Sequence, residues 1–373
     1  MFGFNNLSTA FTCFLLILLV FRLYKLTNKG QEWQNREEYT LNCFLLLLLC
    51  VFAYYNDYWS LEESIPKLQN DVSYGAGLEK VYIWIAELSC YNYSIWRFLS
   101  WGIGVAAMML IYKNLRINNN YSILVFCCCN YWHFGYARSA IAMAIFTLGF
   151  CILIHSKFNA KNILISAIII GSSFFLHKSQ AIAMIGFPLL LVRLNKKTVL
   201  ISACLLPFAI HMINYAFDHL DTFFNMNSTY YDMEILQSKA ERYMEYDKTA
   251  LFGRMRGFME FFNELTMYIL VVSIVFLMSI KGLQKNANRV TCAMYALMYA
   301  LVYFALAAAL TGFQQSVYSY RIFNMSLIPA ALCLLLMYRD GLIKNKTVLI
   351  LSGICFFGRV LESFVYELYV TFS

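Results

Sequence analysis

Charge is what this sequence has least of. Asp, Glu, Lys and Arg together make 13% of its 373 residues, where a soluble domain carries about 25%. That scarcity excludes an ordinary water-soluble fold. Also missing is the ten-residue alternation of apolar and polar positions that marks a membrane β-barrel. The chain shows no internal repeat, no Pro/Gly-rich linker and no polar stretch large enough for a second domain. Met1 to Asn6 carries no positive charge, so the apolar run that follows is expected to stay as a membrane span and not to be cleaved as a signal peptide. None of the 12 Cys stands at metal-ligand spacing from a His. Nearly all lie inside apolar runs, including Cys127-Cys128-Cys129, so they are expected to be free thiols that pack as small hydrophobes.

What is present is hydrocarbon. Hydrophobic residues make 61% of the chain, and apolar runs long enough to span a bilayer recur from end to end. Because irregular backbone cannot face lipid, such runs read as helices. The expected fold is all-α: one polytopic membrane domain over 1–373, with about twelve transmembrane helices at roughly 20 residues each.

The +8 net charge does not point to nucleic acid, because the basic residues lie in short clusters between apolar runs, as cytoplasmic loops do. Arg22, Lys25, Lys29 and Arg36 form one cluster, and Lys113 with Arg116 another. Lys157 with Lys161, Arg193 with Lys196 and Lys197, Lys281 with Lys285 and Arg289, and Arg339 with Lys344 and Lys346 follow. These hold 17 of the 29 Lys and Arg, whereas only Glu32, Glu37, Glu38 and Asp340 among the 21 acids join them. One orientation satisfies every loop, with both termini outside and one large outer loop at 218–260.

Basic residues on the opposite side break this pattern. They include Lys67, Lys80, Arg97, Arg138, Lys178, Arg242, Arg254, Arg256, Arg321 and Arg359. An ionisable group costs about 2.5–3.5 kcal/mol at the centre of a span and is usually paired or functional. Snorkelling to lipid phosphates is the alternative for Lys80 and Arg97. Arg138 and Arg321 read differently, as residues of tight outer turns with polar neighbours: His133 and Ser139 for one, Gln314, Gln315 and Ser319 for the other. A guanidinium presents a fork of donors suited to phosphate oxygens. His177, beside Lys178 at another outer turn, adds an imidazole for proton transfer, or a structural hydrogen bond. In the large loop, Tyr230-Tyr231-Asp232 and Glu241-Arg242-Tyr243 pair aromatic rings with carboxylates, either to meet sugar rings or as a solvated loop. Leu251 to Phe262 reads as an interfacial helix along the headgroups.

Two stretches together resemble a known family. Phe134-Gly135-Tyr136-Ala137-Arg138-Ser139-Ala140-Ile141-Ala142, followed by Phe174-Phe175-Leu176-His177-Lys178-Ser179-Gln180-Ala181, is similar to the paired motif of the EpsG-like branch of bacterial polysaccharide polymerases, relatives of the Wzy O-antigen and capsule polymerases. Glu79-Lys80-Val81-Tyr82 and Ser319-Tyr320-Arg321-Ile322 fit the same pattern; Ser139-Ala140 departs from the Gln-Gly or Gln-Ala usual after the Arg. The resemblance implies a glycosyltransferase of the bacterial cytoplasmic (inner) membrane. It would join undecaprenyl-diphosphate-linked repeat units into O-antigen or capsular polysaccharide at the outer face. Its donor and acceptor are both lipid-linked glycans, its other partners membrane lipids and a chain-length regulator, and it uses no cofactor and no metal.

Carried onto this chain, the resemblance gives Arg138 and Arg321 the donor diphosphate and His177 the role of base or diphosphate ligand. Lys178, Asp57, Asp232, Glu241, Arg242, Arg254 and Arg256 are candidates for substrate binding, and Asp57, Asp232 and Glu241 are alternative bases. A flippase for lipid-linked oligosaccharide needs a similar cationic surface, but transporters of this size commonly show two related halves, which this chain does not. An O-antigen ligase would share the large loop and the substrate class.

Overall fold

In the computed structural model the backbone is described for residues 4–28, 36–52, 64–71, 78–131, 137–155, 159–177, 180, 183–184, 187, 194–218, 251–310 and 313–372. Every regular element among them is helical. In chain order these are α1 (Phe4–Asn28), α2 (Arg36–Phe52), α3 (Lys80–Leu88), α4 (Tyr93–Asn114) and α5 (Asn120–Val125), which runs on as a π-helical turn over Phe126–Asn130. Next come α6 (Ala137–His155), α7 (Ala160–Leu176), α8 (Lys196–Cys204) and α9 (Leu206–Asp218). The chain closes with α10 (Leu251–Val275, then a π turn Phe276–Ile280), α11 (Arg289–Ala309), α12 (Phe313–Arg339) and α13 (Asn345–Phe372). Four described helices, Tyr93–Asn114, Arg138–His155, Arg289–Ala309 and Ile322–Arg339, are long and apolar enough to cross a membrane, and Asn120–Asn130, Ala160–Leu176 and Glu264–Ile280 are shorter apolar helices. The protein is an all-helical, membrane-embedded chain.

The helix starts follow from asparagine. Asn92, Asn119, Asn159, Asn195 and Asn288 each cap a helix, their side-chain oxygens accepting from backbone N–H groups such as Ile95, Ser122 and Asn162. Asn195 adds the reciprocal bond from its own N–H to Thr198 Oγ1 at 2.6 Å. Such caps satisfy donors that no intrahelical carbonyl can reach. Lys161, Lys196, Lys197 and Arg289 fall in first turns, where the helix dipole disfavours cations by about 0.3–1 kcal/mol. The basic loops fix their place, and the dipole loses.

Helix α12 is the hub. In its apolar window 89% of residues are buried, against 44% in α4, and it packs on α11, α6, α10 and α13. Pro329 sits inside it, at a position that removes one backbone donor. A second bundle edge is formed by α4, α6 and α7, with α2 outside α4 and the short α3 laid across α4 and α7. Helices α6 and α7 approach so closely at Gly149 that an added Cβ would meet Ile170 Cγ1 at 2.7 Å and Ile170 N and Ser166 O at 3.1 Å. Small residues at such crossings let backbones draw together where water cannot drive association.

The basic end of the bundle is tied by one acid. Asp340 accepts from Thr291 Oγ1 at 2.6 Å, from Asn288 N at 3.0 Å and from Arg339 at 2.7 Å, while Arg339 Nη1 also donates to Leu115 O at 2.9 Å. One of the few acids in the basic loops thus closes the turn between α12 and α13 against α11. Arg116 beside it takes a left-handed φ of 55°, which reverses the chain between α4 and α5 within a few residues.

Three details differ from the sequence reading. Leu251 to Phe262 is not a separate interfacial helix: α10 runs unbroken from Leu251 to Val275, because no proline interrupts it. Arg321 does not lie in a turn but within α12, which starts at Phe313. The run Val199 to Phe217 is not one helix. It breaks at Leu205, and α9 resumes with Pro207 in its first turn, where a missing N–H costs nothing. Most of the span expected at 180–192 lies outside the described residues.

Candidate anion site opposite the basic loops

Arg138 is the second residue of α6, at the end opposite the basic loops. Its guanidinium and the positive end of the helix dipole both attract negative charge. The structure answers with a carboxylate: Arg138 Nη1 donates to Glu79 Oε2 at 3.1 Å, with the two side chains 22% and 10% exposed. Glu79 is the N-cap residue of α3, yet its side chain makes no capping bond. The carboxylate turns away from its own helix and toward Arg138.

The backbone of this corner is pinned from two further sides. Tyr82, fully buried one turn along α3, donates its hydroxyl to Arg138 O at 3.4 Å. Burial pushes the Tyr82 phenol up from its ordinary range; Glu79 adds to the rise and Arg138 opposes it. It therefore stays a neutral donor at any physiological pH. Trp96 Nε1 holds Tyr82 O at 3.0 Å, and the two rings lie 5.9 Å apart. Gln180, also fully buried, donates from Nε2 to Ser139 O at 3.2 Å, while its Oε1 accepts no hydrogen bond from a described residue. Gln180 N in turn bonds His177 O at 3.1 Å, and His177, the C-cap of α7, bonds Ser173 O at 3.0 Å. The two sequence motifs are thus joined in space: Ser139 beside Arg138 is held by Gln180, three residues past His177.

Other arginines stand at a similar level. Arg138 and Arg97 lie about 25 Å from the basic ends of α6 and α4, Arg321 about 27 Å along α12 and Arg359 about 21 Å along α13, at about 1.5 Å per residue. Arg97 sits over the Tyr93 ring, 5.6 Å from its centroid, which supplies a π face beyond any lipid phosphate. Arg359 is 7% exposed, buried inside protein where snorkelling is closed to it.

Of the remaining candidates, Lys178, Asp57, Asp232, Glu241 and Arg242 lie outside the described residues. Arg254 and Arg256 lie on the first turns of α10, and Arg321 on α12; only their backbone is described. The partners that sequence reasoning left without a role are Glu79, Tyr82 and Gln180. Glu79-Lys80-Val81-Tyr82 did belong to the resemblance pattern, but nothing in the local sequence shows that Glu79 meets a residue from a distant helix.

A second polar cluster lies deep in the bundle. Tyr39 Oη and Cys43 Sγ both point at Met109 Sδ, each at 3.5 Å, and Asn42 Nδ2 donates to Asn120 Oδ1 at 3.0 Å. The ten cysteines whose side chains are described are free thiols; Cys127, Cys128 and Cys129 are buried, Cys90 and Cys204 exposed. Among the described residues no group of three His, Cys, Asp or Glu is placed to hold a metal ion. Compared with protein-family models, with curated proteins and with solved structures, the chain matches none.

Proposed function

We propose that this protein is a polymerase that joins undecaprenyl-diphosphate-linked oligosaccharide repeat units at the outer face of a bacterial cytoplasmic membrane. The observation that carries this reading is Arg138. An apolar chain presents a guanidinium at a helix start, opposite its basic loops, pairs it with Glu79, and fixes the backbone beside it by Tyr82 on Arg138 O and Gln180 on Ser139 O. A fixed, forked cation at that level fits a diphosphate better than it fits structural need alone. About twelve spans, a large outer loop between α9 and α10 and both termini on the periplasmic side belong to the same reading.

The reaction is displacement at a sugar C1. The acceptor hydroxyl oxygen attacks C1, the bond from C1 to the diphosphate oxygen breaks, and undecaprenyl diphosphate leaves with the electron pair. Arg138 and Arg321 stabilise the charge that develops on that leaving group, as fixed donors do where water is excluded. His177 is a further diphosphate ligand or proton acceptor, and no metal ion is required.

Complementation of a strain lacking its polymerase tests this. The wild-type chain should restore the ladder of glycan lengths on a gel, and Arg138→Ala should leave only the single-repeat form while inserting normally. An intact ladder in Arg138→Ala, Arg321→Ala and His177→Ala alike would refute the assignment. Unextended substrate stranded on the cytoplasmic leaflet would mark a transporter instead.

A further inference from the structure

The polymerase reading leaves the acceptor's proton without a definite destination, and the structure offers one. We propose that Glu79 is the general base, the group that takes the proton from the attacking hydroxyl; the inference rests on the polymerase reading of the same site.

Three observations converge. Glu is not a favoured N-cap residue, and Glu79 occupies the N-cap of α3 without capping it. A carboxylate spared from its local duty is available for another. Its Oε2 lies 3.1 Å from Arg138 Nη1, so anything bound to that guanidinium lies next to the carboxylate. Finally, Tyr82 on the same short helix fixes the Arg138 carbonyl, so α3 sets the carboxylate and the arginine in one frame.

A base must lie within about 2.6–3.2 Å of the oxygen it deprotonates, that oxygen about 3–3.5 Å from C1, and the phosphate about 2.7–2.9 Å from the guanidinium. Laid end to end, these contacts span more than the 3.1 Å of the resting pair, so the substrate parts Glu79 from Arg138 and lies between them. The donor diphosphate carries more negative charge than a carboxylate and competes for Arg138. As it takes the guanidinium, Glu79 is released to the acceptor hydroxyl. The proton moves from that hydroxyl to Glu79 as the new C1–O bond forms, and the electron pair of the broken bond leaves on the diphosphate. The base is freed only when a donor is bound.

The test uses the full chain in lipid nanodiscs, with undecaprenyl-diphosphate-linked repeat units extracted from cells that lack a polymerase. Undecaprenyl diphosphate serves as the binding probe. Glu79→Gln keeps the shape and a hydrogen-bond acceptor, and should lower kcat by about 10²–10⁴-fold while binding the probe as tightly as wild type or more tightly. In Glu79→Ala, added formate should restore part of the turnover. Turnover of Glu79→Gln within about fivefold of wild type, far short of the loss expected of a base, would overturn the proposal. So would equal loss of probe binding and turnover, which marks a residue that only positions Arg138. No polymer from the wild-type chain would sink the polymerase reading itself, whereas an active wild type with an active Glu79→Gln sinks only the base.

Discussion

Gly149→Ala is the sharpest probe of how this bundle holds its site, because it alters none of the site's own side chains. The added methyl would stand 2.7 Å from Ile170 Cγ1 and 3.1 Å from both Ile170 N and Ser166 O. The first contact is with a side chain, which can rotate; the other two are with the backbone of α7, which cannot without moving the helix. Overpacking of this kind costs about 1–3 kcal/mol, against which alanine's better helix propensity returns only about 1 kcal/mol. The net expectation is a loss of up to about 2 kcal/mol, read as a fall of a few degrees in the unfolding midpoint of the detergent-solubilised protein. Ile170→Ala in the same chain should recover only part of that fall, since it removes Cγ1 and leaves both backbone contacts. Because α6 carries Arg138 and α7 leads to Gln180, separating the helices should also weaken the ladder. If Gly149→Ala melts with the wild type, or Ile170→Ala restores it completely, the close backbone approach of α6 and α7 is wrong.

Four other expectations can be checked directly. Gln180→Leu keeps the volume but removes the bond from its side chain to Ser139 O, so stability should fall by about 0.5–1.5 kcal/mol and the glycan ladder should shorten. Arg138→Lys keeps the charge but loses the fork, and should retain membrane insertion while giving a markedly weaker ladder; an undiminished ladder would show that a point charge suffices. Asp340→Ala removes the acceptor shared by Thr291, Asn288 and Arg339, and thermal unfolding should register a loss of about 1–3 kcal/mol with no effect on substrate binding. A membrane-impermeant maleimide on intact spheroplasts should label Cys90, which is exposed, and spare Cys127, Cys128 and Cys129 until denaturation. Labelling of Cys90 only after permeabilisation would invert the proposed orientation.

How much of the site was legible differs from residue to residue. Arg138 stood out because a cation outside the basic loops is an exception visible in one dimension. His177 stood out for a similar reason, and the structure links its segment to Arg138 through Gln180 and Ser139. Glu79 could not be read this way: an acid on the side away from the basic loops breaks no pattern, and only packing brings it to 3.1 Å from Arg138. Gln180 and Tyr82 stood in the stretches that carry the resemblance, but their roles were not legible, since an uncharged polar residue at a span end is ordinary until its partner is known. The turn expected around Arg321 became part of α12 because Gln314 to Tyr320 contain no proline or glycine to stop a helix.

By itself the sequence determined the class of this protein. Scarce charge and recurrent apolar runs leave helices as the way to satisfy the backbone in lipid, and the clustering of Lys and Arg orders the loops into two sets. These properties are local: they depend on composition and on spacing along the chain. Tertiary structure alone decided that α12 is the hub, that α6 and α7 meet at a glycine, and that Arg138 faces Glu79. Each of those is a contact between segments far apart in sequence, chosen by which faces pack most closely. Hydrophobicity, the same on nearly every face, cannot encode that choice.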